Sequence, residues 1–128
     1  MPDDLLLQAR AAAERAYAPY SKFRVGAAAV AGGQIFLGCN VENASYGLTM
    51  CAERVAMFAA AVAGHRRIER LAISCPDAAP ALGDDGRVPC GACRQVMAEL
   101  LTPDAEILVD GVGTFALAEL LPRAFRLG

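Results

Sequence analysis

Three cysteines and one glutamate are the residue types here from which a reactive centre could be built. Cys51 and Glu53 sit in Thr49-Met50-Cys51-Ala52-Glu53-Arg54; Cys90 and Cys93 sit in Pro89-Cys90-Gly91-Ala92-Cys93. A Cys-x-x-Cys pair lets two thiolates converge on one point from a tight turn entering a helix. That spacing alone is ambiguous: it serves a redox dithiol, half of a structural zinc site, or half of a catalytic one. A four-cysteine structural site needs a second pair, and the chain has no other Cys-x-x-Cys. Cys51 instead offers a third sulfur. Three protein ligands around Zn²⁺ leave the fourth tetrahedral position for water, the arrangement of a catalytic zinc.

Glu53 is the residue that discriminates. Water activated at a metal must lose a proton to attack, and that proton must later reach a leaving group; a carboxylate within reach can do both. If Cys51 opens a helix, Glu53 lies in the same first turn. Taken singly, the Cys-x-x-Cys also reads as a thioredoxin-like dithiol and the glutamate as a solvated helix residue. Taken together, Cys-x-Glu followed by Pro-Cys-x-x-Cys matches the three-cysteine form of the zinc deaminase signature. Three thiolates on Zn²⁺ carry a net charge of about minus one, which makes bound water less acidic unless offset. Two helix N-termini supply partial positive charge. Arg54 follows Glu53 and Arg94 follows Cys93. Arg54 is expected to donate to the sulfurs, the plain alternative being a surface arginine.

The elements that must hold these residues follow from the hydrophobic pattern. Pro2 to Ala18 reads as a helix, with Leu5, Leu6, Ala9, Ala12, Ala13 and Ala16 at helical spacing and Pro19 as its stop. Tyr20-Ser21-Lys22 is a turn. Phe23–Ala31 and Gln34–Asn40 read as strands joined by a Gly32-Gly33 hairpin turn. Gly26 and Ala27 to Ala29 are small enough to let a helix pack close. Val41–Leu48 is a polar loop, and Thr49 is a plausible N-cap for a helix running to Ala63 with Gly64 beyond its end. Arg70–Ser74 is a strand and Pro76–Val88 a loop. Pro89 opens a helix to about Leu101. Glu106–Val109 and Gly113–Ala116 are strands joined by a tight turn at Asp110-Gly111, and Leu117–Leu121 is a short helix. The expectation is an α/β fold: a mixed five-stranded sheet sandwiched by helices, with both cysteine-bearing helices as crossovers. Each would start at a strand C-terminal end, where open α/β sheets place their ligands.

Composition bounds the rest. A chain of 128 residues fits one domain, 1–128. A net charge of −2, with arginines scattered apart from Arg66-Arg67, argues against a nucleic-acid surface. No apolar run reaches the roughly 20 residues of a membrane span, and the acidic start Met1-Pro2-Asp3-Asp4 is unlike a secretory signal. Hydrophobic residues make up 55% of the chain, which suggests apolar surface buried between subunits. Five cysteines, an odd number with three assigned to metal, fit a reducing cytoplasm. Cys39 and Cys75 read as buried small residues, and His65, the lone histidine, as a solvated turn residue.

With these residues laid out, the chain resembles the small, homotetrameric cytidine deaminases over nearly its whole length. The resemblance rests on Pro19-Tyr20-Ser21-Lys22-Phe23-Arg24-Val25-Gly26-Ala27-Ala28, Gly38-Cys39-Asn40-Val41-Glu42-Asn43-Ala44-Ser45-Tyr46, the two cysteine motifs, and Leu120-Leu121-Pro122-Arg123-Ala124-Phe125. The metal motif is common to many deaminases; the Tyr-Ser-Lys-Phe and Asn-Val-Glu-Asn stretches are more selective. The resemblance implies the cytidine deaminase-like fold, zinc on Cys51, Cys90 and Cys93, and Glu53 as the proton shuttle. It implies that Phe23 packs on the pyrimidine and that Asn40 and Glu42 hydrogen-bond the ribose hydroxyls. The loop from Asn40 through Val41, Asn43, Ala44 and Ser45 to Tyr46 would contact substrate, partly across a subunit boundary, and Ala52 would be a further substrate-binding residue. Phe125 would reach a neighbour's active site. The implied activity is hydrolytic deamination of cytidine and deoxycytidine in pyrimidine salvage.

Other readings stand beside these. Phe23 at a strand start is often plain core, Asn40 and Glu42 ordinary loop polars, and Phe125 a tether. Blasticidin S deaminase shares the zinc motif and size, but Phe23 and Asn40-Val41-Glu42-Asn43 favour cytidine. A nucleic-acid editor would need a basic channel with interleaved aromatics. A zinc-stabilised scaffold predicts four filled ligand positions, and a dithiol oxidoreductase predicts a reducible Cys90–Cys93 disulfide.

Overall fold

The run Gly26-Ala27-Ala28-Ala29-Val30-Ala31 forms strand β1 (Gly26–Ala31), which turns through Gly32-Gly33 into β2 (Gln34–Cys39). Both turn glycines have positive φ, 58° and 76°, as a tight two-residue hairpin requires. In the computed structural model, which describes residues 3–127, these strands join β3 (Ile68–Ser74), β4 (Leu101–Val109) and β5 (Gly113–Ala116) in one sheet. Its order is β2-β1-β3-β4-β5. Only β3 and β4 pair in parallel; the other neighbours are antiparallel. The mixed sheet expected from the strand-helix alternation is thus present.

Alternation along the strands assigns each face its helices. Ala28, Ala72 and Leu108 pack with Leu5 and Ala9 of helix α1 (Asp4–Ala13). On the opposite face, Ala27, Ala29, Leu71, Ile73 and Ile107 pack with Ala56, Met57 and Met97. Those last three belong to α2 (Ala52–Val62) and α3 (Gly91–Leu100), and a short α4 (Leu117–Leu120) closes the same side. The small strand residues let helix backbones come very near. A Cβ added at Gly26 would lie 1.9 Å from the Ala9 carbonyl oxygen, and one at Gly38 would lie 2.3 Å from that of Ala52. Among the described residues no helix is long and apolar enough to cross a membrane.

Several boundaries differ from expectation, each for a tertiary reason. Helix α1 stops at Ala13 rather than Ala18, and Pro2 lies outside the described residues. The Tyr17 N–H donates to the Asn40 carbonyl (3.0 Å) and the Tyr17 carbonyl accepts from Glu42 N–H (2.8 Å), a pairing that outcompetes further helix. β1 starts at Gly26 rather than Phe23, because the Val25 N–H donates to the Asn40 side chain. β4 begins at Leu101, straight after α3, and includes Pro103. The β3–β4 register jumps from Ile68↔Leu101 to Arg70↔Glu106, so Pro103, which cannot donate to a ladder, sits in an irregular stretch. His65 is not a merely solvated turn residue: its ring tilts against Phe36 and its Nε2 lies 3.0 Å from Gln34 Oε1. Gly64 carries φ 98° just past α2, as expected for a helix end.

Because the atoms facing Gly38 are backbone, they cannot rotate away. Gly38→Ala is expected to lower stability by about 1–3 kcal/mol. Gly47→Ala, with nothing within 4 Å of the added Cβ, is expected to change it by less than about 0.5 kcal/mol. Denaturant midpoints at unchanged m-value measure both; equal midpoints for the two variants would contradict this packing.

Candidate active site

The cysteines do not merely precede the two helices on this face of the sheet; they cap them. Cys51 is the N-cap of α2 and Cys90 the N-cap of α3, each extended (ψ 149° and 169°) ahead of the first helical residue. Thr49, the expected cap, instead accepts a hydrogen bond from the Asn43 N–H through its Oγ1, at 3.1 Å. Cys93 follows within the first turn of α3 and is fully buried. The two helix starts therefore aim their unpaired N–H groups and partial positive charge at one small volume. All three sulfurs lie within 4.8 Å of one another. Cys51 Sγ is 3.8 Å from Cys90 Sγ, and Cys90 Sγ is 3.5 Å from Cys93 Sγ. Zn–S bonds of about 2.3 Å at tetrahedral angles separate two sulfurs by roughly 3.8 Å, so the trio fits a zinc ion.

Electrostatics support the same fit. The Cys51 thiol is pulled down to about 5, chiefly by a hydrogen bond from Cys93 and then by Arg54, against the opposing effect of burial. Cys93 is driven the other way, far above an ordinary thiol, by that shared hydrogen bond and by burial. The protein alone thus holds one thiolate easily and resists a second; a divalent cation removes the conflict. Arg54 Nη2 donates to Cys51 Sγ at 3.3 Å, the contact expected from the sequence. Arg94 does something else: it donates to the carbonyls of Pro89 and Leu120, both at 2.8 Å, and so ties the start of α3 to α4. Glu53, in the first turn of α2, is 5% exposed. Burial pushes its carboxyl up to about 7, with the Cys51 charge adding to the effect and Arg54 opposing it.

Cys51, Ala52, Glu53 and Cys90 line one cavity of about 200 Å³, together with Phe23 and Asn40. Phe23 is half-buried and belongs to this wall, not to the hydrophobic core. Asn40 is buried and already doubly engaged: its Nδ2 donates to the Phe23 carbonyl (2.8 Å) and its Oδ1 accepts from Val25 N–H (2.9 Å). Glu42, Asn43 and Tyr46 line a second cavity, about 320 Å³, and Thr49 borders both. Glu42 Oε1 accepts from the N–H groups of Tyr20 (3.0 Å) and Ser21 (3.1 Å), which with the Ser21 hydroxyl hold its carboxyl below the usual range. Val41, Ala44, Ser45 and Phe125 line neither cavity.

Sequence reasoning missed the far wall of the first cavity, formed by Cys75, Arg87 and Val88 from the loop after β3. Cys75 is half-buried there, its thiol pushed up to about 12 by burial and by the nearby Glu53 charge. Arg87 turns its guanidinium back into the loop, with Nη1 donating to the Gly83 carbonyl at 2.9 Å. A loop rich in Pro, Gly and Asp carries no periodic signal that would single these residues out.

The family model for the cytidine and deoxycytidylate deaminase zinc-binding region matches residues 2–108. The chain belongs to this family. The matched span includes all three clustered cysteines and Glu53, and the cofactor is zinc. Among relatives of the deaminase family, the cytidine deaminase of Halalkalibacterium halodurans is 44% identical over 126 residues, covering 94% of this chain and 91% of that protein. The cytidine deaminase of Mycobacterium tuberculosis is 47% identical over 118 residues, covering 91% and 83%. A crystal structure of cytidine deaminase from Burkholderia pseudomallei superposes with TM-score 0.84 at 46% identity, over 98% of this chain and all (100%) of the other. The expected α/β deaminase fold is therefore the observed one.

Metal binding to this trio must displace thiol protons, above all that of Cys93. Zinc affinity of the metal-stripped protein is expected to strengthen as pH rises through the neutral range, with proton release on binding. Cys93→Ser is expected to weaken it by at least about tenfold. Competition with a chromophoric chelator measures both; pH-independent affinity would contradict the trio as ligand set.

Proposed function

We propose that this chain is a zinc-dependent hydrolase that deaminates cytidine and deoxycytidine to uridine and deoxyuridine with release of ammonia. The observation that carries the reading is the convergence of three sulfurs, two of which line the same Phe23-walled cavity as a buried glutamate. We assign Cys51, Cys90 and Cys93 as the zinc ligands and Arg54 as the cation that offsets their charge. When bound, zinc supplies a Lewis acid that makes a water nucleophilic at neutral pH.

Glu53 then moves the protons. It takes one from the attacking water and delivers it to N3 of the pyrimidine, which makes C4 electrophilic. A C–O bond forms at C4. Glu53 carries a proton to the amino group, the C4–N bond breaks, and ammonia leaves with the uracil ring restored. A carboxyl raised to about 7 by burial both holds and releases a proton readily near neutrality. Phe23 stacks on the ring. Asn40, after binding Phe23 and Val25, retains one N–H and one acceptor lone pair, which suits a ribose hydroxyl that both donates and accepts. Glu42 is assigned to the neighbouring ribose hydroxyl, with its orientation fixed by Tyr20 and Ser21.

The site is completed between subunits of a homotetramer, with residues 1–128 forming one catalytic domain in each. A cavity of about 200 Å³ is small beside the roughly 300–1,000 Å³ of typical small-molecule pockets. Tyr46 is 82% exposed and Phe125 69% exposed. Both are large rings left uncovered by their own chain, and on α2 the apolar side chains of Phe58 and Val62 are exposed as well. The loop Val41–Tyr46 and Phe125 are assigned to contacts across those boundaries. A cytoplasmic place in pyrimidine nucleoside salvage follows from the substrate class and the free thiols.

Glu53→Gln is expected to lower kcat for cytidine by at least about 10²–10⁴-fold while zinc stoichiometry holds. Near-full turnover would remove Glu53 from the mechanism. Equilibrium sedimentation of the zinc-loaded protein is expected to give four times the chain mass, and Phe125→Ala to raise KM without dissociating it. A monomer with full activity would exclude shared sites.

A further inference from the structure

We propose that Arg24 and Asp77 form a clasp that fixes the segment carrying Phe23 to the neighbouring loop that supplies Cys75, Arg87 and Val88 to the cavity lining, making both of them positioning residues for pyrimidine binding. This inference rests on the deaminase reading above. Neither residue lines the cavity itself.

The sheet ladders do not reach Phe23. The β1–β2 ladder begins only at Gly26. Lys22, immediately before Phe23, has φ 60°, a left-handed conformation uncommon for a residue with a side chain. The three residues between are held mainly by side chains. Asn40 takes the backbone at Phe23 and Val25. Arg24, between them, turns the other way and meets Asp77. Its backbone N–H donates to Asp77 Oδ2 at 2.9 Å, its Nε to the same oxygen at 2.9 Å, and its Nη2 to Oδ1 at 2.9 Å. One carboxylate thus receives three charge-assisted or backbone hydrogen bonds from a single residue. Two of them form the parallel fork that gives an arginine–carboxylate pair its fixed geometry.

Asp77 stands two residues beyond Cys75, at the start of the loop that supplies Arg87 and Val88 to the lining. Because Gly26 pairs with Ser74, the segment before β1 and the loop after β3 leave the sheet side by side, and the clasp joins these two lining segments just beyond the ladder. Arg24 also reaches Glu14, past the end of α1, at 3.4 Å. The Arg24 hydrogen bonds hold Asp77 down at about 2, so the pair stays ionised throughout the neutral range. Without the clasp, Phe23 keeps its Asn40 anchor, and the loop keeps its own Arg87 contacts. What is lost is the tie that fixes the Phe23 segment relative to the loop beside it. That tie governs where the Phe23 ring is presented to a flat substrate and leaves the zinc ligands and Glu53 untouched.

The test uses zinc-loaded full-length protein. Arg24→Gln and Asp77→Asn are each expected to raise KM for cytidine about three- to tenfold with kcat within about twofold, the pattern of lost ground-state binding. The double variant is expected to be no worse than the worse single one, because both remove the same contact. Arg24→Lys, which keeps the charge but not the fork, is expected to recover part of the loss. Hydrogen exchange reads the clasp without any substrate. Amides of Arg24 and of residues 76–88 are expected to exchange faster in both variants, while those of β3 and β4 stay protected. Unchanged KM, a fall in kcat, additive effects, or unchanged exchange at these amides would each overturn the proposal. If the unmodified protein releases no ammonia from cytidine, the deaminase reading fails, and the exchange pattern still decides the clasp.

Discussion

Bringing three sulfurs to one point is an electrostatic problem before it is a geometric one. Each thiolate repels the next, and burial penalises all of them. The protein meets this by placing two of the cysteines at helix starts. Cys51 and Cys90 occupy N-cap positions, so their side chains lie where the first backbone N–H groups are unpaired and the helix dipole is positive. Arg54 adds a full positive charge from within α2 at 3.3 Å from Cys51 Sγ. Even so, the Cys93 thiol resists ionisation, which leaves a cation as the remaining requirement of the site.

Helix α2 can start at that point only because the part of the sheet beneath its first turns carries small residues. Gly38 sits directly under Ala52 and Ala56, and Ala27, Ala29 and Ala31 line the same face. A helix resting on larger residues would ride higher and move Cys51 and Glu53 away from the Cys90–Cys93 turn. Part of the high apolar content of the chain is this alanine-rich contact surface. The packing that stabilises the fold and the packing that sets the ligand geometry are therefore the same contacts.

Around the sulfurs, the cavity walls are held by polar side chains acting on backbone. Asn40 grips the strand approach at Phe23 and Val25, Glu42 grips Tyr20 and Ser21, and Arg87 grips its own loop. These segments lack ladder partners of their own, so their order depends on a few charge-assisted or buried hydrogen bonds. Such an arrangement keeps the reacting centre on rigid helices and leaves the substrate-facing walls on segments that respond to single side chains.

The chain alone was enough to determine the chemistry of the centre. Cysteine and glutamate spacing, the Gly32-Gly33 turn, the strand-helix alternation and helix ends near Gly64 and Leu101 are local properties, written in residues close to one another. The tertiary structure decided the rest, because it depended on residues far apart. Tyr17 ended α1 by pairing with the Asn40–Glu42 strand, which no helical periodicity reveals. The caps of the metal-facing helices proved to be the cysteines, since Thr49 was drawn away by the Asn43 backbone. His65 tilts its ring against Phe36 of the hairpin. The far wall at Cys75 and Arg87, and the contact from Arg24 across 53 positions to Asp77, lie in an aperiodic loop. Local patterns report which residues are suited to a task; only the folded chain brings distant partners within the few ångströms over which hydrogen bonds and charges act.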